Sequence, residues 1–252
     1  MDQMVFWMAG AAGLAVAYLL GATPTGYLVG KLLKGIDIRQ YGSGSTGATN
    51  VLRTLGTWPA VVVLALDVLK GTAAVVFAGW FTQWLSSVAA PVGPDLTGLK
   101  PWAICLAGLA ALLGHSRSIW LGFTGGKSVA AGLGVLLALS WPVGLGALAV
   151  FGVALAASRI VSLSSVLASS AAIILILMLE QPLPYRLLVI AGGLYVIARH
   201  RAGLAQSWLG AAGEAVGSGL RQRRALRGEA GEHRPVALRH AGAEALLDVE
   251  FG

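Results

Sequence analysis

TWPAVVVLALDVLKGTAAVVFAGW, residues 57–80, carries only two ionisable side chains, Asp67 and Lys70, in an otherwise apolar run. A bilayer core takes roughly 20 mostly apolar residues in a helix, so the stretch reads as membrane-spanning. Ionisable residues at that depth are costly and are paired or functional. Their i, i+3 spacing puts Asp67 and Lys70 on one helix face. A structural ion pair is therefore expected, with a substrate role for Lys70 as the second reading.

The rest of the chain agrees with that segment. Of 252 residues, 56% are hydrophobic and 12% charged, and mean hydropathy is +0.76. A soluble domain carries about a quarter charged residues, so a soluble globular enzyme is excluded. Apolar segments cover about 4–30, 57–80, 101–118, 128–141, 143–158, 162–179 and 184–198. The expected fold is an all-α integral membrane protein with about seven transmembrane helices. Some are short and punctuated by Pro24, Pro59 and Pro142, so one or two are candidates for half-spanning or re-entrant segments. Residues 1–21 lack a basic leading region and read as a retained first helix. The single cysteine, Cys105, excludes a disulfide framework.

Lys31, Lys34, Arg39, Arg53, Arg117, Lys127 and Arg159 fall in connections on one side if the segments alternate. The positive-inside rule then sets the N-terminus out and the C-terminus in. The net charge of +7 suits anionic lipid; the tail's arginines alternate with glutamates, which argues against nucleic acid. Two parts are expected: a membrane domain over 1–204 and a poorly ordered cytoplasmic tail over 205–252.

Every glycine-rich polar stretch lies on the cytoplasmic side of this topology. GSGSTGATNVLR, residues 42–53, matches G-x-G-x-x-G through Gly42, Gly44 and Gly47, but no strand precedes it, so a dinucleotide fold is not implied. Ser43, Ser45, Thr46, Thr49 and Asn50 with exposed backbone amides suit an anion nest, and Arg53 offers a fork for phosphate. GHSRSIWLGFTGGKSVAAG, residues 114–132, resembles the end of a Walker loop, but Leu121 stands where its first glycine belongs. Gly125 and Gly126, the charge of Lys127 and a following helix start still make a phosphate site. His115 precedes that loop. RIVSLSS, residues 159–165, brings Arg159 and the hydroxyls of Ser162, Ser164 and Ser165 to the same face, as part of a site or as a helix N-cap with an interfacial arginine, and ARHR, residues 198–201, adds His200. No carboxylate pair, metal-ligand cluster or nucleophile–base pair accompanies them. Phosphate positioning and electrostatic catalysis are the chemistry this pattern supports.

GATPTGYLVGK (21–31), GSGSTGATNVLR (42–53), DVLKG (67–71) and GHSRSIWLGFTGGKSVA (114–130) together resemble the bacterial acyl-phosphate:glycerol-3-phosphate acyltransferases, the PlsY family. The likeness runs from about residue 14 to 201. It implies a seven-helix enzyme of the bacterial inner membrane with its site facing the cytoplasm. Such enzymes transfer a fatty acyl group from acyl phosphate to the 1-hydroxyl of glycerol 3-phosphate, beginning phospholipid synthesis. No cofactor or metal is implied; an acyl-phosphate-forming enzyme would act upstream. By this resemblance Ser43 and Arg53 match essential residues of the first motif, and Gly125, Gly126 and Lys127 match the glycerol-phosphate loop. His115 matches the histidine before that loop, Ser162 and Ser164 a polar turn near the phosphates, and His200 the histidine of the third motif.

The chain departs from the family pattern at Ser45 (usually Asn), Ser118 (usually Pro) and Ser128 (usually Gly). In the third motif Gly203 replaces an expected Asn, and only a displaced Glu214 remains downstream. An altered reading frame near residue 202 would produce so abrupt a change. Two rivals stand beside this assignment. Acyltransferases using acyl-CoA or acyl-carrier protein carry His-x4-Asp, yet Trp120, Ala205, Leu238 and Ala245 follow the four histidines at that spacing. A transporter of a phosphorylated solute would show paired repeats around a midplane site, and no repeat is apparent.

Overall fold

A computed structural model describes residues 3–89 and 98–200. Among them the secondary structure is helical. α1 spans Gln3–Ala22, α2 Thr25–Lys34, α3 Ala48–Leu55, α4 Thr57–Ala89, α5 Lys100–Ser116, α6 Val129–Leu139, α7 Trp141–Ser158 and α8 Val161–Met178. A ninth helix, α9, covers 183–200. Each of the seven expected apolar segments contains one or more of these helices. Gly203, Glu214 and the tail from 205 lie outside the described residues.

Three differences from the expected segments have physical causes. The first segment is two helices: Pro24 lacks an N–H, and α1 and α2 bend by 41° at the break. The basic connection 31–56 contains α3, hidden in the sequence by glycines and hydroxyl residues. α4 continues through Ala89, 33 residues in all, because its aromatic end carries no breaker. At 1.5 Å per residue it is about 50 Å long, whereas α6, with 11 residues, is about 16 Å long and covers half a bilayer. Three described helices, over Thr57–Val88, Trp141–Ser158 and Val161–Met178, are long and apolar enough to cross a membrane, and the bent α1–α2 pair would be a fourth.

Lipid gives helices little hydrophobic reason to associate, so small residues that let backbones touch do that work. Gly21 and Gly114 seat α1 against α5: a Cβ on either would strike the backbone of Ala111 or of Tyr18 and Ala22. Gly71 and Gly134 do the same for α4 and α6, meeting the carbonyls of Ala131 and Val68. The central apolar cluster gathers Ala17, Ala74, Val75, Ala107, Ala111 and Val135 from these four helices. α7 and α8 form a hairpin joined through Val143, Ala147, Ala172 and Ile176. α9 returns antiparallel to α8, with Gly193 against Ile173 and the Ser169 carbonyl.

Gly134→Ala is expected to destabilise the protein by roughly 1–3 kcal/mol, because backbone and not a pliable side chain occupies the space. Gly152→Ala, which meets nothing within 4 Å, is the control. Thermal unfolding of the detergent-solubilised protein should separate the two; equal melting temperatures would refute the packing argument.

Candidate functional site

The first glycine loop is organised around a side chain that the sequence suggested as a ligand donor. Asn50 is 1% exposed, and its amide nitrogen donates to the carbonyls of Ile38, Tyr41 and Ser45 at 3.1, 3.0 and 2.9 Å. Its Oδ1 accepts the Ser43 amide at 2.8 Å. Gly42 and Gly44 have φ of 59° and 69°, the left-handed region glycine enters without cost, and a Cβ on Gly42 would strike Asn50 Oδ1. The Gly44 amide donates to Tyr41 O at 3.1 Å, and the Gly47 amide to Ser45 Oγ at 3.2 Å. The glycines and Asn50 therefore fold the loop onto itself, and much of the expected open amide nest is committed internally. Still uncommitted are the exposed Ser43, half-buried Thr49, the first amides of α3, which have no intrahelical acceptor, and exposed Arg53 in its last turn.

The second loop wraps around His115. Gly126 donates its amide to the His115 carbonyl at 3.1 Å. A Cβ on Gly126 would collide with His115 Nε2, and one on Gly125 with the His115 carbonyl. These two glycines serve close approach, and neither has positive φ. His115 is 6% exposed, behind the loop. Its Nδ1 has no hydrogen-bond partner and stands 3.6 Å from Asp67 Oδ1. Ser118 donates to Ala22 O at 2.6 Å, and Tyr18 to Arg117 O at 2.7 Å, pinning the loop to the end of α1. Ser128 takes φ of 60°, in the left-handed region that favours glycine, and its hydroxyl donates to Leu112 O at 3.0 Å.

Arg39 joins the two loops, a role the sequence gave no sign of. Its guanidinium grips Asp37, Nη2 to Oδ2 at 2.7 Å. Nη1 reaches across to Leu121 O and Thr124 Oγ1 at 3.3 and 3.4 Å. That bonding holds the Asp37 carboxyl below its ordinary value, and Arg39 also lies 5.5 Å from the Tyr27 ring centroid.

Lys127, Arg53, Arg199 and His200 come together at one end of the bundle. Burial holds Lys127 below the ordinary lysine value, and the nearby charges of Arg199 and then Arg53 push the same way. Lys127, Arg53 and Arg199 have no carboxylate partner among the described residues. His200 is 4% exposed, and both its ring nitrogens lack hydrogen-bond partners. Counting forward along α9 from Gly193 at 1.5 Å per residue puts His200 level with Ser162–Ser165 on antiparallel α8. There Ser164 is buried and donates within its own helix to Ile160 O at 2.9 Å, while Ser162 is half-buried. No metal-ligand group of three or more His, Cys, Asp or Glu occurs among the described residues.

Within the membrane, Asp67 and Lys70 are paired at 2.8 Å, 1% and 8% exposed, as their spacing predicts. Two further contacts lie beyond sequence reading. Thr25 Oγ1 donates to Asp67 Oδ1 at 2.6 Å, and Lys70 Nζ donates to Thr23 O at 2.9 Å.

Apolar helices, with a cationic cluster that lacks a carboxylate partner among the described residues at one end of the bundle, define an integral membrane protein. Residues 11–210 match the family described as glycerol-3-phosphate acyltransferase. The chain is 71% identical over 204 residues to glycerol-3-phosphate acyltransferase 2 of Rhizobium johnstonii, covering 80% of this chain and 93% of that protein. It is 56% identical over 204 residues to the glycerol-3-phosphate acyltransferase of a Nostoc species, covering 80% and 90%. The crystal structure of PlsY, an integral membrane glycerol 3-phosphate acyltransferase, in its glycerol 3-phosphate form superposes with a TM-score of 0.68 at 34% identity, over 80% of this chain and 92% of that one. The lysophosphatidic acid form gives 0.66 at 33%, with the same coverage. The chain belongs to the glycerol-3-phosphate acyltransferase family.

The lowered Lys127 makes a pH prediction. A bound anion needs the ammonium form, so affinity is full below the folded pKa and falls as pH rises through it. Because that value is depressed, affinity for sulfate, whose own charge is constant in this range, should decline at a lower pH than a free lysine near 10.4 would dictate. Lys127→Arg should remove the decline. Titration calorimetry between neutral and alkaline pH measures this; identical profiles would contradict it.

Proposed function

We propose that the protein transfers a fatty acyl group from acyl phosphate to the 1-hydroxyl of glycerol 3-phosphate, releasing lysophosphatidic acid and inorganic phosphate. The observation that carries the reading is the trio of cations, Arg53, Lys127 and Arg199, without a carboxylate partner among the described residues. Two phosphates, one from each substrate, supply the missing negative charge. Family membership supports glycerol 3-phosphate as the acceptor. Acyl phosphate as donor rests on the chemistry of the site and on the motif resemblance.

The chemistry asks little of a nucleophilic side chain. Acyl phosphate is a mixed anhydride with a good leaving group. The acceptor hydroxyl oxygen attacks the carbonyl carbon, the anhydride C–O bond breaks, and phosphate departs carrying the electron pair. The hydroxyl proton passes to that phosphate, which accounts for a mechanism without a carboxylate or cysteine base. Arg53 and Lys127 hold the phosphates and neutralise charge that grows on the leaving oxygen, a term that preorganised charges supply at no reorganisation cost. Ser43, at the tip of the first loop, orients the acceptor. His200, beside Lys127 and Arg199, has both ring nitrogens buried and unpaired, and the motif resemblance assigns it to the phosphate end of the site. Holding two reactants in place can account for much of the rate. Gly42, Gly44, Gly47, Asn50, Gly125 and Gly126 shape the two loops, and Thr49 adds a hydroxyl at the start of α3.

The site is read as opening to the cytoplasm of the bacterial inner membrane, with seven crossings, the N-terminus outside and the acyl chain lying among the apolar helices. The positive-inside count supports that orientation. An enzyme that forms acyl phosphate is then required upstream.

Purified protein in detergent should release inorganic phosphate from palmitoyl phosphate only when glycerol 3-phosphate is present, and should give no product from palmitoyl-CoA. Acceptor-independent release, or transfer from palmitoyl-CoA, would overturn the donor assignment. A solute transporter would turn over neither donor without a compartment.

A further inference from the structure

We infer that Asp67 is a positioning residue for the glycerol-phosphate half of the site, acting through His115 on the Gly125–Lys127 turn; the inference rests on the acyl-transfer reading above.

The contacts form one continuous path. Asp67 is fixed on two sides, by the Thr25 hydroxyl at 2.6 Å and the Lys70 ammonium at 2.8 Å. Lys70 is held in turn by the Thr23 carbonyl at 2.9 Å, so the pair is anchored to the break between α1 and α2. On its third side, Asp67 Oδ1 faces His115 Nδ1 at 3.6 Å, and that nitrogen has no hydrogen-bond partner of its own. A separation of 3.6 Å is beyond a hydrogen bond, so the carboxylate orients the imidazole by charge and contact. The opposite edge of the ring, Nε2, occupies the space a Gly126 side chain would need. The His115 carbonyl accepts the Gly126 amide at 3.1 Å and lies against Gly125. Lys127 follows directly.

This path gives His115 a different part from the one its sequence position suggests. The imidazole is buried and covered by glycine, so it cannot touch a substrate as it stands; it is the template on which the turn is moulded. The first loop has its own organiser, Asn50, and its bonds to the second loop run through Arg39 and not through Asp67. Disturbing Asp67 should therefore affect the two substrates unequally. A loss of packing alone would lower the yield of folded protein and weaken both substrates together.

The experiment is steady-state kinetics of full-length Asp67→Asn with both substrates varied, and in parallel Lys127→Arg with and without it. Wild type must first transfer from acyl phosphate to glycerol 3-phosphate; if it does not, the acyl-transfer reading fails before this inference is reached. Given that activity, D67N should raise KM for glycerol 3-phosphate about tenfold, with kcat and KM for acyl phosphate within about twofold. In the K127R background its effect should shrink to under about threefold, since residues acting through one group are not additive. Amide exchange over residues 122–128 should accelerate in D67N. Unchanged KM for glycerol 3-phosphate, equal losses for both substrates, or full additivity with K127R would overturn the inference. Should D67N fail to fold, Thr25→Val removes only the 2.6 Å hydroxyl contact, and a rise of about threefold in the same KM is expected. A folded T25V enzyme with unaltered KM would overturn the inference equally.

Discussion

A carboxylate and an ammonium held 2.8 Å apart inside a membrane protein, 1% and 8% exposed, are the constraint on which the rest of this structure depends. Taking either charge out of water is expensive, and leaving one without the other costs about 3–5 kcal/mol. The pair is supported because α4 presents both members on one face and the neighbouring chain supplies oxygen ligands. Pro24 breaks the first apolar segment, and the break exposes the Thr23 carbonyl and Thr25 hydroxyl that Lys70 and Asp67 take up. The bend and the ion pair therefore need each other. Around them α1, α4, α5 and α6 close through glycine contacts too tight for any side chain.

The functional end of the molecule has the opposite electrostatics. Where Asp67 and Lys70 cancel, Lys127, Arg53 and Arg199 accumulate, and Lys127 is depressed first by burial and then by the charges of Arg199 and Arg53. Such an arrangement costs free energy, which the substrate phosphates of the proposed reaction would offset. Coulombic attraction grows as water is excluded, so the same charges would hold a phosphate more tightly here than on an aqueous surface. Each loop is shaped before a ligand arrives, one by Asn50 and the other by His115, and Arg39 ties them together. Ready-made geometry of this kind is what an acyl transfer without a protein nucleophile requires.

Much of this was legible in the residues. Segments of sufficient apolar length named a helical membrane protein, and each contains a helix. The i, i+3 spacing of Asp67 and Lys70 foretold their pairing, because both lie on one helix whose period is known. Contacts between distant segments were not legible. Thr25 meets Asp67 across 42 residues, and Arg39 reaches Leu121 across 82, distances at which no local pattern survives. The glycines were read as exposing amides, whereas several serve to admit a neighbour: Asn50 behind Gly42, His115 behind Gly126. A glycine in sequence says that a side chain would not fit, and only the fold says what stands there instead. α3 is illegible for a related reason, since GATNVLR has the composition of a loop, and its helix start is set by the Gly47 amide donating to Ser45 Oγ.

The central claim is that the substrate's phosphate completes this cationic cluster while the buried ion pair stays fixed. A structure determined in lipid with glycerol 3-phosphate bound tests that claim most directly. The phosphate should lie within hydrogen-bonding reach of Lys127 and Arg53, with Asp67 and Lys70 still paired at about 3 Å. A phosphate bound away from both loops, or one bound only after the Asp67–Lys70 pair has separated, would contradict it.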